Sequence, residues 1–189
     1  MEKVTLLGEE KIEEKELPGL IYKQLKPTLR MKRGLDERTI RDGITRVEKR
    51  YHPMWVIKML IIAERKPFPP KVTPNMVFVD GRSGYRGLFT TVPPRLEKEV
   101  GEHEVLRPFF SKQEMLGKYV KDVQEKQINR KYVLKKPKYD VKEMDLLYLP
   151  IWQVEVKNAH VDTTYWVNGN TGESEELLMK LCESQEWML

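Results

Sequence analysis

The chain has 189 residues, 40% of them apolar and 33% charged, and a formal net charge of +5. Four Trp, eight Tyr and five Phe supply bulk for a packed core, which excludes a wholly disordered chain. Cys182 is the single cysteine, so no intramolecular disulfide can form, and the longest apolar run, Met59 to Ala63, is far too short for a membrane span.

From the N-terminus, residues 1–16 are charged and weakly patterned, and read as a frayed arm or an edge strand. They lack the apolar stretch of a signal peptide, so a cytoplasmic location is expected. Residues 17–35 contain Pro18, Gly19, Pro27 and Gly34 and read as loop with short extended pieces. A helix is predicted from Asp36, a good N-cap, with Ile40, Ile44, Val47 and Tyr51 at helical spacing and Pro53 as its stop. From Tyr51 to Ile62 the pattern is extended, with Tyr51, Trp55, Ile57, Met59 and Ile61 on one face and Val56, Leu60 and Ile62 on the other. A strand apolar on both faces is usually covered on both. Residues 66–74, with Pro67, Pro69, Pro70 and Pro74, read as a stiff loop before a strand over Met76 to Asp80.

Residues 88–110 are irregular. Ser111 and Glu114 then form a capping box, the start of the strongest helix in the chain, with Met115, Leu116, Tyr119, Val120, Val123 and Ile128 as its stripe. Strands follow at 146–157 and 163–167, and a short helix closes the chain near residues 174–187.

Two segments repeat in the same order. Tyr51-His52-Pro53-Met54-Trp55 aligns with Tyr148-Leu149-Pro150-Ile151-Trp152, and Phe78-Val79-Asp80-Gly81-Arg82-Ser83-Gly84 with Trp166-Val167-Asn168-Gly169-Asn170-Thr171-Gly172. Self-similarity of this kind marks repeated structural units. The expected fold class is therefore α+β, with two related helix-plus-antiparallel-sheet units from an internal duplication. The expected division is 1–35 arm and loop, 36–92 first repeat unit, 93–110 linker, and 111–189 second repeat unit with a C-terminal helix. Within each motif the paired aromatics lie on one strand face and read as core, and the glycines serve a tight turn.

Residues 75–86 and 163–175 resemble the closing strand and turn of PepSY-type domains. The segment Tyr165-Trp166-Val167-Asn168-Gly169-Asn170-Thr171-Gly172-Glu173 is similar to their aromatic strand and Val-Asp-Ala-x-Thr-Gly-Glu-like turn, with Gly81 and Gly169 where that family often has Ala. The resemblance implies a cystatin-like helix-over-sheet unit with a regulatory or binding role, and no catalytic residue.

No pattern for chemistry stands out. His52, His103 and His160 are far apart in sequence, Glu102-His103-Glu104 reads as a solvated loop, and Cys182 lies on the apolar side of its helix. Gly81-x-x-Gly84 and Gly169-x-x-Gly172 lack the Lys-Ser/Thr of a phosphate loop. No catalytic residue, metal ligand or cofactor is expected. The basic segments are the feature with a plausible ligand. Residues 23–33 hold Lys23, Lys26, Arg30, Lys32 and Arg33 with no acid, and residues 126–138 hold Lys126, Arg130, Lys131, Lys135, Lys136 and Lys138 around Tyr132. That second mixture suits phosphate contact and base stacking. The expectation is a non-enzymatic intracellular binding or regulatory protein with an unidentified protein partner. The alternative is weak, sequence-independent nucleic-acid binding through these two segments. No membrane is expected as a partner, and self-association is compatible with the sequence.

Overall fold

Alternating apolar residues build the strands, and the longest of them carry the repeated motifs. A computed structural model describes residues 1–189. It is an α+β fold with strands β1 (Glu2–Leu7), β2 (Ile44–Arg65), β3 (Phe68–Asp80), β4 (Arg86–Leu88), β5 (Arg95–Val100), β6 (Lys138–Lys157) and β7 (Asp162–Asn168). The helices are α1 (Leu17–Gln24), α2 (Pro27–Arg30), α3 (Glu37–Gly43), a helical run α4 over residues 112–131, and α5 (Glu176–Ser184). Strand pairing follows the order β4-β3-β2-β6-β1-β5, with β7 also on β6. No helix is long and apolar enough to cross a membrane.

Two compact units divide these elements, and they interleave along the chain. The first holds residues 1–52, 94–106 and 148–183, and the second 53–93, 107–147 and 184–189. The units therefore do not follow the division into 36–92 and 111–189, because β2 and β6 each pass from one unit into the other. Residues 94–106 are part of the first unit and not a linker, since β5 pairs antiparallel with β1 from Glu2↔Val100 to Leu7↔Arg95.

The core of the first unit joins Leu17, Ile21, Leu25, Leu35 and Ile40 to Trp152, Val154, Val156, Val161 and Val167. That of the second joins Trp55, Ile57, Met59, Ile61, Val77 and Val79 to Phe110, Met115, Tyr119, Val120, Val123 and Ile128 of α4 and the segment before it. The apolar stripe predicted from Ser111 thus covers the strand face predicted from Trp55, and the capping box is present, with Ser111 Oγ accepting from Glu114 N–H at 3.2 Å. The run is not a uniform α-helix, since two of its stretches, Met115–Val120 and Gln124–Ile128, are π turns.

The two repeated turns share one hydrogen-bonding plan. In the second unit Met54 faces Asp80 and Trp55 faces Val79. In the first, Ile151 faces Asn168 and Trp152 faces Val167. Gly81 N–H donates to the Pro53 carbonyl at 2.9 Å, and Gly169 N–H to the Pro150 carbonyl at 2.8 Å. Asp80 Oδ1 accepts from the N–H groups of Arg82 and Ser83, as Asn168 Oδ1 does from Asn170 and Thr171. Gly84 and Gly172 have φ of +74° and +76°, a region that side chains disfavour. The pairing of Pro with Gly has a steric cause. A Cβ on Gly169 would lie 2.9 Å from Pro150 Cβ, and one on Gly81 would lie 3.0 Å from the Pro53 carbonyl oxygen.

Four local expectations are corrected. Residues 17–24 form a helix and not a loop, because Pro18 sits in the first turn, where its missing N–H is harmless, and Leu17 and Ile21 are buried on one side. The helix from Asp36 ends at Gly43, and residues 44–52 are strand. Ile44, Val47 and Tyr51 keep helical spacing, but a Cβ at Gly43 would lie 3.1 Å from the Lys157 carbonyl oxygen, and Thr45 Oγ1 donates to the Glu155 carbonyl. The proline-rich stretch 68–74 is strand β3 and not a loop, because it pairs on one side alone with β2, where proline is tolerated on the open side. Residues 1–16 are not frayed, since β1 lies between β5 and β6 and meets the latter at Leu6↔Tyr148.

Candidate nucleic-acid interface

The two basic segments differ in what their charges already do. In 126–138, Lys126 pairs with Asp122 Oδ1 at 2.5 Å, one helical turn away. Lys135 pairs with Glu64, and Lys138 lies 3.6 Å from the same carboxylate, whose pKa the Lys135 contact lowers. Lys136 donates to the carbonyls of Asn129 and Tyr132 at 2.9 and 3.0 Å and closes the end of α4. Tyr132, expected to offer a stacking face, is half-buried against the core of the second unit. Arg130 and Lys131 remain exposed and unpaired. The structure therefore leaves two of these six side chains open to a ligand and binds four internally.

Residues 23–33 are the opposite case. Leu17, Ile21 and Leu25 recur at helical spacing and point α1 into the core of the first unit. Gln24 Nε2 anchors the last turn by donating to the Gly172 carbonyl at 3.0 Å. That orientation leaves Lys23 and Lys26 on the outer side. Pro27 then starts the single turn of α2, and the chain runs on to Leu35, again buried. Lys23, Lys26, Arg30, Lys32 and Arg33 are all exposed, and none of their side chains makes a hydrogen bond or ion pair. Glu176 is held below its ordinary value first by Lys180 and more weakly by Lys26.

Glu104 accepts from Gly101 N–H at 2.8 Å, so the Glu102-His103-Glu104 turn is a cap. His52 is buried, and Cys182 is half-buried on α5.

No family model, curated protein or solved structure matches the chain. The reading of its surface therefore rests on its own geometry. Five cations lie within the eleven residues 23–33, exposed and with no side-chain hydrogen bond or ion pair. Tyr22, the aromatic of this segment, is packed partly against the core.

Proposed function

We propose that the chain is a non-enzymatic binding protein that holds the backbone of nucleic acid, without sequence preference, through Lys23, Lys26, Arg30, Lys32 and Arg33. The observation that carries this reading is that all five side chains are exposed and unpaired. Five phosphate contacts on duplex DNA correspond to a slope of about −4 to −5 in log affinity against log salt, and to a non-specific dissociation constant of roughly 10⁻⁴ to 10⁻⁶ M. Fluorescence anisotropy with labelled duplex at several salt concentrations checks this. The triple change Lys26→Ala, Arg30→Ala, Arg33→Ala is expected to reduce the slope by about three units. The double change Lys126→Ala, Lys135→Ala, at cations engaged internally, leaves it unchanged. Absence of binding to duplex and to single strands at low salt removes the proposal.

A second reading, a regulatory protein with a protein partner, is supported by Val133 and Leu134. Both side chains are wholly exposed at the loop after α4. If they dock on a partner, Val133→Asp with Leu134→Asp abolishes its capture from native cells and leaves thermal stability unchanged.

The shared Pro–Gly contacts and turn caps support an origin of the two units by internal duplication. The PepSY-type resemblance belongs to the same proposal and rests on those two turns.

A further inference from the structure

A cleft in the first unit is built around a carboxylate shared by two ammonium groups. Glu10 Oε1 pairs with Lys49, and Glu10 Oε2 with Lys98 at 2.6 Å. Side-chain exposure is 12% for Glu10, 19% for Lys49 and 37% for Lys98, so Glu10 and Lys49 are largely withdrawn from water and Lys98 partly so. Lys49 Nζ lies 4.0 Å from the centroid of the Trp152 ring, and Lys98 Nζ 5.7 Å from that of Tyr51. Two cavities, about 600 and 520 Å³, both have Lys49, Lys98, Glu14 and Trp152 in their walls and so adjoin at the lysine pair. Apolar side chains complete them, with Ile12 and Leu96 in one and Val47 and Val100 in the other. Volumes of this size suit small organic molecules.

Charge decides what belongs there. Two ammonium groups against one carboxylate leave one positive charge in excess where solvation is poor, and unbalanced buried charge is costly. Of the acids at the rim, Glu13 pairs with Lys15 and Glu104 caps Gly101, while Glu14 and Glu99 face solvent. A dianion would exceed the single positive charge that the pair leaves to neutralise it. A monoanion balances the pair.

We propose that this cleft binds a small organic monocarboxylate, its carboxylate between Lys49 and Lys98 and its apolar body along Ile12 and Leu96. Burial pushes the Lys98 pKa down, but its contacts with Glu10 and Tyr51 outweigh that and raise it. Burial likewise pushes Glu10 up, and the two lysines bring it below the ordinary carboxylate value. Lys98 is thus an ammonium at neutral pH, a group that attracts anions and does not attack carbonyls.

The test is isothermal titration of the full chain with benzoate, with inorganic phosphate as the comparison. Benzoate binds saturably and phosphate more weakly. Lys98→Met weakens benzoate roughly tenfold, and Lys180→Met, at an exposed pair with Glu176 outside the cavity walls, leaves it unchanged. Glu10→Gln removes the internal competitor and tightens benzoate roughly tenfold, a direction that loss of folding cannot produce. Circular dichroism confirms that each variant is folded, and if Glu10→Gln is not, the lysine variants still decide. No saturable heat with benzoate overturns the proposal. So does phosphate binding as tight as benzoate, or a folded Glu10→Gln that binds no tighter than the parent chain.

Discussion

Trp152→Ala is expected to destabilise the chain by about 3–5 kcal/mol, read as a fall in the midpoint of chemical denaturation, the usual cost of deleting a large core aromatic. The side chain is 7% exposed, packs with Val154, Val156 and Val167, and carries Lys49 over its ring. Its Nε1–H donates to the Ile12 carbonyl at 3.1 Å, which ties the segment after β1 onto β6. The matching residue Trp55 is 8% exposed, but its buried Nε1–H has no acceptor. Phenylalanine separates the two. Trp152→Phe leaves the Ile12 carbonyl without its donor and costs about 1 kcal/mol more than Trp55→Phe, which removes an unsatisfied polar group along with its packing. A change below about 1 kcal/mol for Trp152→Ala would mean that the motif is not a core motif.

How much of this was legible in the sequence depended on the range of the interaction. Asp36 and Ser111 were readable as caps because a cap is settled within three residues, and Asp36 Oδ1 does accept from Thr39 N–H at 2.8 Å. The two turns were readable because glycine and proline announce their own constraints. What failed was decided at a distance. Ile44, Val47 and Tyr51 keep helical spacing, but at Gly43 the chain comes close to Lys157, more than a hundred residues on, and β6 is the partner that draws residues 44–52 out into a strand. The prolines of β3 gave a loop pattern because the sequence does not say that its other side lies open. Pro18 reads as a breaker in the sequence, although in a first turn it favours a helix.

The candidate sites divide in the same way. Residues 23–33 were visible as an acid-free run, since a run is a local property. That 126–138 is half neutralised is not visible in the sequence, because Glu64 lies far from Lys135 in the chain, and Asp122, just outside the run, is a specific partner of Lys126. Glu10, Lys49 and Lys98 come from β2, β5 and the segment after β1, and no motif joins them. Nothing local marks them, since Lys49 lies in a stretch with helical spacing and Lys98 in one that reads as irregular, and both sit between charged residues.

The second large effect is expected at Asp122. Arg86 is buried at 5% exposure and uses its guanidinium fully. Its Nε donates to Asp122 Oδ2 at 2.8 Å, Nη2 lies 2.7 Å from the same oxygen, and Nη1 donates to the carbonyls of Gly84 and Trp187. Tyr119 and Trp187 lie against the cation at 5.3 and 5.6 Å. Asp122→Ala leaves a buried guanidinium with carbonyl partners but no counter-charge, and is expected to cost about 3–5 kcal/mol at neutral pH. Arg86→Met in the same background restores part of that loss, since it removes the unpaired charge, so the double-mutant cycle is strongly non-additive. The pH dependence follows from the sign of the shift. Burial pushes the Asp122 carboxyl up, but hydrogen bonds and charge from Lys126 and Arg86 bring it below its ordinary value of 3.8. A carboxyl lowered in the folded state stabilises fully above its unfolded pKa and loses that contribution as the pH falls through the folded one. The parent chain therefore loses stability below about pH 4, and Asp122→Asn, which has no proton to gain, loses less over the same interval. Urea denaturation at a series of pH values measures both curves. Parallel curves would show that the Asp122–Arg86 pair does not set the acid limit of the fold.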